Sequence, residues 1–216
     1  MRTPFGEAAR PACAALCLAL AALAAAVPAL PAAAAEPPGI PREAAVGGHA
    51  VPLRGVGVSS RYAIEVCQVA LYAPPQLADA DDIVRGSDPR RILFRMLRDV
   101  SGEDFKQGLL DMSRASTGPA ASASVRSKLR LLAEAVAARV SRLYRGDTVA
   151  IDWVPGAGVT VSRNMQALAP AVPDPDLFQV LAEPWIGADS SDADLRRRLL
   201  GQGGAAPGLR TVSFNR

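Results

Sequence analysis

Histidine and cysteine are almost missing from this chain: one histidine, His49, and three cysteines are spread over 216 residues. A single imidazole builds no histidine metal cluster, and its place in a Gly-rich segment argues against Ser-His or Cys-His catalysis. Cys13 and Cys17 fall in an N-terminal segment that is expected to be removed. Cys67 is then left alone, and no intrachain disulfide is possible. Aromatic residues are scarce as well, with five Phe, three Tyr and two Trp. None is interleaved with a basic run in the manner of a nucleic-acid surface. No apolar stretch reaches the about 20 residues that a membrane span requires. Charge of either sign is in little excess, 24 Lys and Arg against 21 Asp and Glu, so the net +3 says little about partners.

What is present begins with a leader. Arg2 and Arg10 form a positive start, residues 12–27 are apolar and uncharged, and Ala33-Ala34-Ala35 precedes Glu36. This is the pattern of a secretory signal peptide cleaved after Ala35. Pro28 and Pro31 interrupt the apolar run and oppose a membrane anchor. The expected organisation is a signal peptide at 1–35, a Pro-rich leader segment at 36–50, one domain at 51–201 and a flexible tail at 202–216. The mature protein is expected in the periplasm or outside the cell.

Alternation of apolar residues predicts strands at 51–59, 62–72 and 92–98, the second with Tyr62, Ile64, Val66, Ala70 and Tyr72 on one face. A short helix is expected before Gly86. Ser101 is placed to cap a following helix, with Asp104 reaching back to it. Val125, Leu129, Leu132, Val136, Val140 and Leu143 recur at helical spacing and predict one helix ending at Gly146. The cations beside that stripe read as a solvated surface. Residues 148–153 and 159–162 predict a hairpin around Pro155-Gly156-Ala157-Gly158, with a second turn at Asn164-Met165. That glycine loop has neither the G-x-x-x-x-G-K-S/T nor the G-x-G-x-x-G string. No cofactor or metal is expected. Two helices follow, the first near 174–183, the second capped by Ser191 with Asp192 and Asp194 in its first turn and Arg196, Arg197 and Arg198 in its last turns.

Six segments in fixed order carry a resemblance: Gly55-Val56-Gly57, Val69-Ala70-Leu71-Tyr72, Leu97-Arg98-Asp99-Val100-Ser101, Gly146-Asp147, Pro155-Gly156-Ala157-Gly158, and the ending from Trp185-Ile186-Gly187 to Leu199-Leu200-Gly201. Together they resemble the chalcone isomerase-like family in its secreted bacterial branch. The resemblance implies an α+β fold, an open-faced antiparallel β-sheet with helices packed on one face. It also implies an apolar cleft. In the isomerases this cleft closes a 2′-hydroxychalcone to a flavanone by orientation and electrostatic stabilisation, with an Arg for the phenolate. In non-catalytic relatives an Arg and a Tyr hold a fatty-acid carboxylate.

This chain departs from both patterns. Ser59 stands where the family's Arg is expected. Arg61 is two residues further along the same strand face and is the candidate replacement. Cys67 occupies a position usually Thr or Tyr, and residues 113–142 contain neither Tyr nor Asn. The expectation is therefore a periplasmic, non-catalytic protein that binds a small apolar or anionic, fatty-acid-like ligand at Ser59, Arg61 and Cys67. The alternatives are an intramolecular lyase of the chalcone–flavanone isomerase type, with Arg61 as its catalytic cation, and a closed structural or interaction module. Arg98 and Asp99 read as fixing a strand–helix junction, and Trp153 and Trp185 as packing residues.

Overall fold

The structure, a computed structural model, describes residues 39–61, 63–116 and 120–203. The expected signal peptide and residues 204–216 of the expected tail lie outside the described residues. In chain order the strands and helices are β1 (Glu43–Val46), β2 (His49–Arg61), β3 (Ile64–Tyr72), α1 (Ala80–Arg85), β4 (Arg90–Met96), β5 (Val100–Ser101), α2 (Gly102–Ala115), α3 (Ala123–Ala137), β6 (Arg142–Leu143), β7 (Thr148–Val154), β8 (Gly158–Arg163), β9 (Gln166–Ala167), α4 (Pro175–Ile186) and α5 (Ala193–Leu199). Seven strands form one antiparallel sheet in the order β1-β2-β3-β4-β7-β8-β9, and β5 pairs with β6 separately.

The sheet has two differently covered faces. Val69 and Leu71 of β3, Ile92 and Phe94 of β4, and Val149 and Ile151 of β7 enter the main core, together with the buried sides of α3 and α4. The intervening residues Ala70, Tyr72, Leu93 and Ala150 point the other way, as the strand period of two requires. They form a smaller cluster under Ile40, Ala44, Val46 and Val51. The Tyr72 hydroxyl donates to the Pro41 carbonyl at 2.9 Å and ties this cover down. Residues 36–50, read from the sequence as a leader, thus supply β1 and the start of β2.

A β-bulge interrupts the β2–β3 ladder. Ser59 pairs with Cys67 and Ser60 with Glu65, so Val66 is an extra residue. The bulge resets the parity of β3: Val66 and Cys67 line the same groove, whereas Ala70 and Tyr72 face away from it. An unbroken alternation would have kept Val66, Ala70 and Tyr72 together.

Several local expectations are met in atomic detail. Ser101 caps α2 by accepting from the Asp104 N–H at 3.0 Å, and its hydroxyl donates to the Asp104 carboxylate at 2.7 Å. Asn164 and Met165 form the two-residue turn between β8 and β9, both at positive φ. Two expectations are corrected. The apolar stripe of α3 runs on through Val140 and Leu143, yet the helix stops at Ala137. The chain beyond it is captured as β6 by β5, and the Gly102 N–H donates to the Ser141 carbonyl at 2.9 Å. Val140 and Leu143 are buried from non-helical backbone, so their spacing imitates a helix that is not there. The last helix is capped by Asp192 rather than Ser191, through the Leu195 N–H at 2.9 Å.

Arg90 lies fully buried beneath this core. Its guanidinium sits 4.5 Å from the Phe178 ring centroid and 5.5 Å from that of Trp153. It donates to the carbonyls of Asp88 and Val84. Burial lowers its pKa to about 10, with Asp88 opposing that shift, so it stays charged at neutral pH and clamps the end of α1 to β4.

Candidate functional site

Between the inner face of the sheet and helix α2 lies an open groove of about 700 Å³. That is within the roughly 300–1,000 Å³ of small-ligand sites. Its floor is Ser59 on β2, Val66 and Cys67 on β3, and Phe94 and Met96 on β4. One wall is α2, through Phe105, Gly108, Leu109 and Met112. The opposite wall is Pro184 and Trp185 of α4 with Ser191. Trp185 packs edge-on against Phe94, with ring centroids 5.1 Å apart. It is therefore a packing residue, as the sequence implied, and also part of the lining. Its indole N–H is buried without an acceptor among the described residues.

Gly108 shapes the groove by what it lacks. A Cβ built on it meets nothing within 4 Å. Glycine within a helix costs about 1 kcal/mol relative to alanine. That cost is not needed for packing here, and the consequence of the missing side chain is open space.

Of the residues singled out from sequence, Ser59 and Cys67 are cross-strand partners and both line the groove. Arg61 closes β2 opposite Ile64, itself a lining residue, and the Arg61 side chain lies outside the described residues. Cys67 is buried, and desolvation pushes its thiol up to about 12. It presents a neutral, weakly polar surface at pH 7 and is no nucleophile there. Iodoacetamide labelling at pH 8 is expected to run roughly a thousandfold slower on the folded protein than in urea, from the difference in thiolate fraction. Equal rates would show an ionised thiol in the groove.

The pair Arg98-Asp99 serves two tasks. Asp99 accepts from the Arg145 N–H at 3.0 Å and lies 3.9 Å from Arg142, so it ties the end of β4 to the chain around β6 rather than to the cap of α2. Both residues also line the groove. The other lining carboxylates are engaged: Asp104 with Ser101, and Asp111 with Arg114 and Gln107. Arg98 is the one charged lining group without a partner among the described residues. Sequence reasoning passed over it because it ends a strand, where charges usually serve junctions. No signal in the sequence separated the two residues, because only the fold brings Arg142 and Arg145 to Asp99.

A second cleft of about 490 Å³ lies among α1, α4 and α5 and shares Pro184 and Ser191 with the groove. Several of its polar groups are engaged with neighbours. Asp79 caps α1, Arg85 pairs with Asp81, and Glu183 accepts from Ser116 and Gln179. Among the described residues no cluster of His, Cys, Asp and Glu is arranged to hold a metal, and no helix is long and apolar enough to cross a membrane.

The chain thus presents an antiparallel sheet with an apolar groove under one helix, a neutral thiol on its floor and, among the described residues, one unpartnered guanidinium in its lining. The model of the chalcone isomerase-like family matches residues 34–201, and this chain belongs to that family. The crystal structure of a fatty-acid binding protein from Arabidopsis thaliana has the same fold, with a TM-score of 0.59 at 16% identity, covering 73% of this chain and 90% of that one. No curated protein matches this sequence.

Proposed function

We propose that this protein is a non-catalytic periplasmic binder of a small ligand with an apolar body and an anionic head, of fatty-acid type. The observation that carries this reading is the open groove of about 700 Å³ whose lining is mostly apolar and whose one unpartnered charge among the described residues is Arg98. An aliphatic chain laid along Phe94, Met96, Phe105 and Met112 leaves water, and a carboxylate at the Arg98 end meets a donor fork that nothing else occupies. Ser59 and Ser191 offer hydroxyl donors, and Arg61 at the end of β2 is a second cation for the same head. The fatty-acid binding protein that shares the fold supports the ligand class, and the leader at 1–35 supports export.

Mature protein isolated from its own periplasm is expected to begin at Glu36 and to release a bound lipid in native mass spectrometry. Titration of delipidated protein with a fluorescent fatty acid is expected to saturate. Arg98→Ala is expected to weaken binding about tenfold, the worth of a charge-assisted hydrogen bond; Arg61→Ala measures the share of the second cation. Absence of any uptake sinks the binding reading, and conversion of a 2′-hydroxychalcone by the same sample sinks the non-catalytic one.

A further inference from the structure

One edge of the groove continues into a surface that binding inside the groove does not use. Past α3, the chain exposes Arg139, Arg142 and Arg145 at every third position, with Tyr144 between the last two. This segment is fastened to the groove's mouth. The Arg145 N–H donates to Asp99, and the Gly146 N–H donates to the Met96 carbonyl at 2.8 Å; both acceptor residues line the groove. Asp147 joins it to the β8–β9 turn. Its carboxylate accepts from the Tyr144 N–H at 2.8 Å, from Arg163 at 2.6 Å and from the Asn164 amide at 2.8 Å. Burial would raise the Asp147 pKa, but these partners outweigh it and hold the carboxyl below its ordinary range. Asp147 thus holds the Asn164-Met165 turn and the Tyr144 backbone to one carboxylate.

Two features of this rim are unexplained by folding. Tyr144 is 55% exposed and Met165 is 94% exposed. Met165 also adopts φ +67°, a left-handed conformation that costs a residue with a Cβ about 1 kcal/mol and that glycine adopts freely. Asp147 is committed to Arg163 and Asn164, and Asp99 offsets Arg142 alone, so Arg139 and Arg145 leave the rim with a net cationic charge. Cations interspersed with an exposed aromatic and an exposed methionine match the chemistry of an anionic phospholipid surface: guanidinium groups meet the headgroup phosphates, and the apolar tips enter the interface.

We propose that the rim formed by Arg139, Arg142, Tyr144, Arg145 and Met165 docks this protein on anionic bilayers, with the groove mouth at Arg98 turned to the lipid. The proposal rests on the reading of the groove as a site for a lipid-type ligand. An apolar ligand would then pass between bilayer and groove without crossing bulk water.

The test is co-sedimentation of the mature chain with vesicles containing phosphatidylglycerol, against vesicles of phosphatidylcholine alone, with fatty-acid titration run in parallel. Wild-type protein is expected to prefer the anionic vesicles at least about tenfold, and about 0.5 M salt is expected to release it. The double variant Arg142→Glu, Arg145→Glu is expected to fall to the phosphatidylcholine level while still taking up fatty acid. Met165→Gly removes the apolar tip and the backbone strain together; it is expected to melt higher and bind vesicles more weakly. A groove-filled variant, Gly108→Phe, is expected to lose the fatty acid and keep the vesicles. Equal binding to both vesicle types, or an unchanged double variant, overturns the docking proposal. Wild-type protein that takes up fatty acid but ignores vesicles, as it would if the rim served an acidic protein instead, overturns it while sparing the groove.

Discussion

Gly55→Ala is expected to destabilise the domain by about 3 kcal/mol and to lower its melting temperature by about 6–12 °C. The cause is the seat of α5. A Cβ on Gly55 would lie 1.9 Å from the Arg198 carbonyl oxygen and 2.6 Å from that of Leu199, and one on Gly57 would lie 2.3 Å from Leu195 Cδ1. Leu195 could yield by changing rotamer. The backbone oxygens of α5 cannot yield without lifting the helix, which would bring the buried Leu195 and Leu199 toward water. The Gly-x-Gly of β2 is thus the floor on which the last helix rests. Thermal and urea melts of the purified variant measure the effect. A melting temperature within a degree of wild type would mean that α5 does not approach β2 this closely.

Gly108 gives the opposite result from the same kind of change. Gly108→Ala is expected to stabilise by about 1 kcal/mol, since the position is helical and the space beside it is open. Gly108→Phe is expected to fold, to melt no lower than wild type, and to lose at least about tenfold in affinity for fatty acid because its ring occupies the groove. The pair of variants separates packing from open space: protein comes close at Gly55, and nothing lies within 4 Å of a Cβ on Gly108. Unchanged binding by a folded Gly108→Phe protein would move the ligand out of this groove, and the cleft of about 490 Å³ beside Glu183 would be the next place to look.

Much of the architecture was legible because it depends on local chemistry. Alternating apolar residues place β3, β4 and β7, the Ser101 hydroxyl starts α2, and Pro155-Gly156 turns β7 into β8. Each follows from a preference that acts over a few residues. The end of α3 was not legible, because Val140 and Leu143 are buried by neighbours distant in sequence and happen to fall at helical spacing. The bulge at Val66 escaped for a related reason: one additional residue in a ladder leaves no mark on composition. In the candidate site, Ser59 and Cys67 were reachable by strand register and family motif, and the structure makes them cross-strand partners on the groove floor. Arg98 and Gly108 were not reachable, since a guanidinium without a carboxylate and a glycine without a neighbour are properties of the space around them.

From the sequence alone came the antiparallel α+β plan, the family and the departure at Ser59, because side-chain periodicity, capping chemistry and motif order are written along the chain. Tertiary structure alone decided that a groove stays open, that Arg98 lines it without a partner among the described residues while Asp99 is engaged, and that Tyr144 and Met165 stay exposed. Those outcomes depend on which surfaces the helices leave uncovered, and that is settled only when distant segments compete for the same face of the sheet.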